Sequence, residues 1–421
     1  MPAHGSPRRC CESPAAPSTC TNEGRGQRQL MHICFLCNEY PPSPHGGIGT
    51  MVLALGRELV ARGHRVTVLG VYNDSLGSAD DCGVRVIRLP ATRLKGMGYL
   101  INGGGIRRAV HALHAADPID LVDAPENGLA MLPRQQPFVR LIRMNGGHRF
   151  FSSEAGRRPA MWRSWLESRS FARADALCAV SRYVGERTRQ VLNLGGREIR
   201  VIYNGIETEK FAGPTTAAPN SGEILFAGTV CEKKGIRQLV EGMPEILQAV
   251  PHARLVVAGR DWSDPSSGES FTGLLRRQMA PAVAERVQFL GRVPREELPV
   301  LMARASVLCF PSHMEAFSLG WIEGLASGRP VVASCTGPGP EAIEDGVHGL
   351  LCDPHSPSSI ASAVSRVLLD NGLAARLGAA GRERAQRFSV GAMADASIAY
   401  YEECTRAGRR APSGDDRSTA S

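Results

Sequence analysis

The feature that most constrains this chain is an alternation: short β-branched or apolar runs recur along it, and a stretch of helical periodicity follows each. That order builds parallel sheets covered by helices. The first unit is a strand at Ile33 to Leu36, a glycine-rich loop at Gly46 to Gly49, a helix from about Thr50 to Arg62 and a strand at Val66 to Leu69. Met51, Leu55 and Leu59 recur at four-residue steps and make one buried helical stripe, and Gly63 suits a left-handed cap. Further strands are expected at Val84 to Leu89, Leu121 to Ala124, Val139 to Met144, Leu177 to Val180 and Arg200 to Tyr203. A second series opens at Glu223. Its strands fall at Ile224 to Ala227, Leu255 to Ala258, Val287 to Leu290, Val307 to Phe310 and Val331 to Ser334, with a helix at Ile236 to Ala249. The polar segment Pro214 to Gly222 reads as a linker or surface loop. The expected class is α/β, with two Rossmann-like, doubly wound parallel sheets. Such sheets bind ligands beyond the carboxyl ends of their strands, so two that face each other enclose one central cleft.

Length agrees, since 421 residues exceed one ordinary core. The 43% hydrophobic and 21% charged fractions are those of a soluble globular chain, and no apolar run approaches the roughly 18 to 20 residues of a membrane-spanning helix. Of the 12 cysteines, Cys34, Cys178, Cys309 and Cys335 sit in apolar strand-like runs, as reduced thiols do in a cytoplasmic protein. Cys34 and Cys37 form a C-x-x-C with no second pair at metal spacing, so no zinc site is expected. Residues 1–30 and 406–421 are polar and read as a disordered extension and tail, with Met31 immediately before the first strand. Net charge is +8, and between Arg134 and Arg173 nine arginines face only Glu154 and Glu167, which points to a basic surface. No nucleic-acid reading motif accompanies it, so nucleic acid is not an expected partner.

Three segments have residues suited to chemistry. Gly46, Gly47 and Gly49 lie between a strand and a helix, where bare backbone can approach a phosphate; a ligand-free tight turn accounts for them as well. Lys233 and Lys234, beside Gly235 at a helix start, suit a diphosphate leaving group, or are simply solvated. After the strand Val307 to Phe310 come Glu315, then Phe317, Ser318 and Leu319 at the next helix start, then Glu323. Glu315 is placed to grip sugar hydroxyls, the helix N–H groups to face an anion, and Glu323 to accept from a ribose. The plainer account of both acids is macrodipole stabilisation. No D-x-D occurs, so no metal bridging a diphosphate is indicated.

In order and spacing, Gly46-Gly47-Ile48-Gly49, Tyr203-Asn204-Gly205-Ile206, Lys234-Gly235 and the Glu315 to Glu323 pair resemble glycosyltransferase family 4, as do Gly328 to Ala333 and Gly339 to Ile343. The resemblance runs from Met31 to about Thr405 and implies the two-domain GT-B fold, a nucleotide-diphosphate sugar as donor, retention of anomeric configuration and no metal or other cofactor. Gly46 and Gly47 would approach the donor diphosphate and Lys234 would neutralise it. Glu315 would contact the transferred sugar, Phe317, Ser318 and Leu319 would lend N–H groups to the phosphates, and Glu323 would hold the ribose. The family places a histidine after Val139 to Met144; here Asn145 stands at that point and His148 three residues later, so His148 takes the role beside the anomeric carbon and Asn145 lines the same pocket. Thr229 stands where the family usually has an arginine at the donor phosphates, with Lys233 or Arg260 to compensate. The expected division is an N-terminal, acceptor-side domain at 31–204, a C-terminal donor domain at 205–388, and a helix at 389–405 that packs back on the first.

The acceptor is not legible; a polysaccharide or other glycan, a lipid-linked acceptor or a small molecule fits. Phe150, Phe151, Trp162 and Trp165 interleave with Arg149, Arg157, Arg158, Arg163 and Arg169, which suits peripheral contact with an anionic membrane. The competing account is a helical core stripe of Met161, Trp162, Trp165 and Leu166 with solvated arginines. Two other functions share the architecture. A non-catalytic nucleotide-sugar-binding or interaction protein would bind without turnover, and a sugar-nucleotide epimerase would need no acceptor.

Overall fold

A computed structural model describes residues 29–92, 94, 98–212, 221–264 and 267–410. Residues 1–28 of the expected extension, 214–220 of the expected linker and 411–421 of the expected tail lie outside the described residues.

Among the described residues the strands form two sheets. The first comprises β1 (His32–Leu36), β2 (Arg65–Tyr72), β3 (Gly77–Asp81), β4 (Val84–Pro90), β5 (Leu121–Ala124), β6 (Val139–Met144), β7 (Ala176–Ala179) and β8 (Arg200–Val201). The second comprises β9 (Glu223–Ala227), β10 (Arg254–Ala258), β11 (Val287–Gly291), β12 (Val307–Phe310), β13 (Val331–Ser334) and β14 (Leu350–Cys352). Their orders are β3-β4-β2-β1-β5-β6-β7-β8 and β11-β10-β9-β12-β13-β14. Every pairing is parallel except β3 with β4. Each order reverses direction once, at β1/β5 and at β9/β12, and the loops leaving those strands open the crevices where such sheets bind ligands.

The central strands are buried on both faces, as helix-covered parallel strands must be. β3 departs from the expected pattern. It is a polar, largely exposed edge strand, closed on β4 by a turn with Cys82 (φ 52°) and Gly83 (φ 84°), so no apolar alternation announces it. Cys335 corrects another expectation: it lies just past β13 and is exposed, whereas Cys34, Cys178 and Cys309 are buried free thiols.

The chain crosses between the sheets twice. Ile206 pairs with Ser389, with Ile206 N–H donating to Phe388 O (3.0 Å) and Val390 N–H to Ile206 O (2.8 Å). The helix Val390–Arg410 then packs against the helix Gly47–Ala61 and β6, continuing past the expected end at 405. Met393, Ala394, Ile398 and Tyr401 enter the first sheet's core. A buried ion pair also fastens it: the Arg143 guanidinium donates to Asp123 and to the Tyr401 hydroxyl (2.9 Å each), and Tyr401 donates to Asp123 (2.6 Å). Arg143 is therefore internal. Arg140 pairs with Asp175 and Arg173 donates to backbone carbonyls, so the basic surface expected between Arg134 and Arg173 is smaller than the count of arginines implied.

Candidate functional site

Two sets of side chains gather at the two switch points. In the second lobe, β9 leads into Gly228 and Thr229 and then a 3-10 turn at Glu232–Lys234, while β12 leads into the loop carrying Glu315. Gly235 (φ 71°) locks turn to loop: a Cβ there would lie 1.8 Å from the Pro311 carbonyl oxygen, so no larger residue fits. His313 N–H donates to Lys233 O (2.9 Å) across the same seam. This clamp brings the Lys234 ammonium onto the Glu315 carboxylate as an ion pair, although 81 residues separate them.

Beyond Glu315, Phe317 is buried against Tyr203 and Phe388, with ring centroids 5.2 and 5.3 Å away. The ring anchors the start of the helix Leu319–Ala326, where Ser318 makes no side-chain cap. The first N–H groups of a helix lack intrahelical acceptors, so this end offers donors and a positive dipole beside Lys234. Glu323, one turn on, is buried, and burial raises its carboxyl pKa while Arg295 pulls it back. The expected ribose ligand thus already has a partner, Arg295 at 2.5 Å, itself half exposed. Thr229 is half-buried, and Arg260 is exposed on the neighbouring strand end, its carbonyl accepting from Val230 N–H (2.9 Å).

In the first lobe the helix begins at Gly47, earlier than the expected Thr50, so Gly47 and Gly49 form its first turn. Gly49 N–H is taken by the Glu39 carboxylate (2.7 Å), whereas a Cβ at Gly47 would meet no atom within 4 Å. Of the expected phosphate cradle, Gly47 is the open position.

His148 opens the helix His148–Glu154, presented by a tight loop. Glu126 accepts Asn145 N–H (2.5 Å) at one end of that loop and Glu167 accepts Arg149 N–H (3.0 Å) at the other. Gly147 sits between them; its Cβ would fall 1.9 Å from a Glu167 carboxylate oxygen and 2.9 Å from Glu126 Cγ. Asn145 turns its side chain to the Arg143 carbonyl (3.0 Å). Burial, with help from Arg163, lowers the His148 pKa, and Nε2 accepts Ala160 N–H (2.9 Å), so the neutral ring presents Nδ1–H. Burial raises both glutamates, Glu126 to about 7, with Glu167 adding repulsion. His148, Glu126, Glu167 and Glu39 line one cavity of about 480 Å³ between the loops that leave β1 and β5. The three glutamates were not singled out in the sequence; the available signal was that Glu39 and Glu126 follow β1 and β5, the strands at the switch point.

The lobes touch around this site. Lys233 lies 5.8 Å from the Phe151 ring centroid, and the Ser181 hydroxyl donates to Ala316 O (2.7 Å). The Glu341 carboxylate accepts from Arg182 N–H, Tyr183 N–H (2.7 Å each) and the Tyr203 hydroxyl (2.9 Å). Thus Ala316, next to Glu315, is held by the first lobe. One expectation fails outright: Met161, Trp162 and Trp165 are 88%, 56% and 57% exposed, so they are no core stripe. The helix Met161–Phe171 instead buries Leu166, Glu167, Ser170 and Phe171, and the indoles lie beside the Arg163 and Arg169 guanidinium groups (5.2 and 5.3 Å).

Residues 45–210 match the family model described as Glycosyltransferase Family 4, and residues 207–384 the model described as Glycosyl transferases group 1. Glycogen synthase of Mycobacterium tuberculosis is 29% identical over 422 residues, covering 91% of this chain and 97% of that protein. The GDP-mannose-dependent alpha-(1-6)-phosphatidylinositol monomannoside mannosyltransferase of the same species is 27% identical over 384 residues, covering 84% and 93%. Among solved structures, sucrose-phosphate synthase from Thermosynechococcus elongatus superposes with a TM-score of 0.78 at 25% identity, covering 90% of this chain and 100% of that one. Anabaena HepE in complex with UDP and glucose does so at 0.69 and 20%, covering 89% and 99%. With its two facing parallel-sheet domains and matches running from residue 45 to residue 384, the chain belongs to glycosyltransferase family 4 and has the GT-B fold.

Proposed function

We propose that the chain transfers a sugar from a nucleoside diphosphate to a glycan or lipid-linked acceptor, with retention of anomeric configuration. The observation that carries this reading is the Lys234–Glu315 pair beside the uncapped start of Leu319–Ala326. The donor diphosphate lies between Lys234, the N–H groups of Phe317, Ser318 and Leu319 and, across the cleft, Gly46 and Gly47. Glu315 grips the sugar, and Glu323 takes the ribose with the oxygen that Arg295 leaves free. As the glycosyl–phosphate bond breaks, charge builds on the leaving diphosphate, and preorganised donors there stabilise it most. Where Thr229 replaces the expected arginine, Arg260 and Lys233 supply cations from neighbouring positions. His148 lies beside the anomeric carbon with Asn145 in the same pocket, and the acceptor hydroxyl passes its proton to the departing diphosphate. The names of the relatives suggest a UDP or GDP sugar as donor.

A donor panel read by thermal shift, followed by turnover of the stabilising donors, tests the reading, because a ligand of the folded state raises its melting temperature. Stabilisation is expected, with product formed by wild type about 10²- to 10³-fold faster than by Lys234→Ala. Stabilisation without turnover against any acceptor would favour a binding protein instead. No metal is assigned a role: full activity in excess chelator is expected, and loss that magnesium restores would refute it. We place the protein in the cytoplasm, with Met161, Trp162 and Trp165 and the neighbouring arginines touching an anionic membrane. Co-sedimentation with anionic vesicles that Trp162→Ala/Trp165→Ala abolishes is expected, and no binding even at low salt would exclude the contact.

A further inference from the structure

The first-lobe cavity is large enough for a small-molecule site and lies where a doubly wound sheet binds ligands. Glu39, Glu126 and Glu167 line it, whereas among the described residues Arg163 is the one guanidinium in its wall. That guanidinium lies 5.2 Å from the Trp162 ring centroid at the cavity's edge. Glu126 and Glu167 are 6% and 2% exposed. Backbone N–H groups of Glu126 itself, Asn145 and Gly146 donate to Glu126, and those of His148 and Arg149 to Glu167; the two oxygens of a carboxylate accept about four bonds, so each keeps a lone pair for a further donor.

This composition discriminates between acceptor chemistries. Above about pH 7, where Glu126 has lost its proton, a phosphate or carboxylate in the cavity would set like charge against buried carboxylate, where screening is weak. Hydroxyl groups, by contrast, donate to a carboxylate in strong charge-assisted bonds. The exposed indole of Trp162 adds an apolar surface on which the C–H face of a sugar ring packs. Burial holds a proton on Glu126 up to a pH of about 7, which lets that group also donate to a ring or hydroxyl oxygen.

We propose that this cavity is the acceptor site and admits an uncharged polyhydroxylated ring, with Glu126 and Glu167 as the residues that exclude phosphorylated or acidic acceptors. The assignment rests on the glycosyl-transfer reading and narrows it to a substrate class. Glu126 and Glu167 serve a second end in the same place, since their bonds to Asn145 and Arg149 hold His148 at the cavity wall.

The test measures binding to the full chain by calorimetry, with UDP or GDP present, using matched probes: glucose, mannose, maltotriose and myo-inositol against glucose 6-phosphate, mannose 6-phosphate, glucuronate and myo-inositol 3-phosphate. At least one neutral probe should bind about ten-fold more tightly than its charged counterpart. Trp162→Ala, at an exposed site that leaves the fold intact, should weaken that probe about five-fold. Glu126→Gln, which keeps an acceptor for Asn145 N–H, should shrink the neutral-over-charged preference. Binding of none of the neutral probes, a charged probe bound as tightly as its neutral partner, or indifference to both substitutions would overturn the proposal. Thermal shift by nucleotides on the same samples separates the failures. Stabilisation by UDP or GDP with no neutral preference removes only the acceptor assignment, whereas no stabilisation by any nucleotide removes the glycosyl-transfer reading too.

Discussion

Gly47→Ala adds one methyl group at the start of the helix Gly47–Ala61, at a point where the new Cβ meets no atom within 4 Å. Its backbone is not among those with positive φ, so alanine is tolerated and the unfolded chain loses freedom. The substitution should stabilise the folded protein by about 0.5 kcal/mol, a rise of roughly 1 °C in melting temperature. If the diphosphate approaches that backbone, the same methyl occupies the space it needs. Losing one charge-assisted contact of about 1.5 to 3 kcal/mol lowers donor kcat/KM roughly 10- to 150-fold. The neighbouring glycine supplies the contrast. A Cβ at Gly49 would lie 1.9 Å from the Glu39 carbonyl oxygen, so Gly49→Ala should lower the melting temperature whether or not a ligand binds. Thermal melts with and without UDP or GDP sugars, and kcat/KM for the donor, measure both effects. A Gly47→Ala protein that is more stable yet within about three-fold of wild type in donor kcat/KM would show that no diphosphate touches Gly47.

Lys234→Ala should lower kcat by about 10²- to 10³-fold, while the partly exposed pair with Glu315 costs the fold only about 1 kcal/mol, as turnover and urea melts would show. Asp123→Ala leaves the buried Arg143 guanidinium without its counter-charge and should destabilise by about 3 to 5 kcal/mol, loosening the helix Val390–Arg410 that Tyr401 ties down. For Glu126, the folded value of about 7 exceeds the ordinary 4.5, so between those pH values the fold holds a proton the unfolded chain has released. Stability should therefore fall as pH rises across that window, by up to about 3 kcal/mol, and level off above it. Glu126→Gln should flatten the slope in a series of urea melts; an unchanged slope would show that another group titrates.

Much of the architecture was legible because it is written in local periodicity. Met51, Leu55 and Leu59 face one way on any helix, and the apolar runs at Val307 to Phe310 and Val331 to Ser334 suit strands covered on both faces. The helix Ile236–Ala249 lies where its periodicity places it. Phase was less secure. Met161, Trp162 and Trp165 have helical spacing, but spacing does not say which side faces the sheet, and here Leu166 and Phe171 won the interior. Arginine counting failed for a related reason: whether Arg143 is surface or core depends on Asp123 arriving from another strand. The hairpin strand Gly77–Asp81 escaped because an exposed edge strand needs no apolar alternation.

The amino-acid sequence by itself determined the two parallel sheets, the glycine-rich turn at 46 to 49 and the residue types at 234, 315 and 323, since each follows from neighbours a few positions away. Only the tertiary structure decided which charges meet. Lys234 reaches Glu315 because Gly235 lets the turn close on Pro311, and Arg295 reaches Glu323 from a separate element. It also decided that Glu39, Glu126 and Glu167, scattered along the chain, share one cavity with His148. The physical reason is range: a hydrophobic period is read within a turn or two, whereas electrostatic partnership and burial depend on distances through space, which exist only once the sheets have assembled.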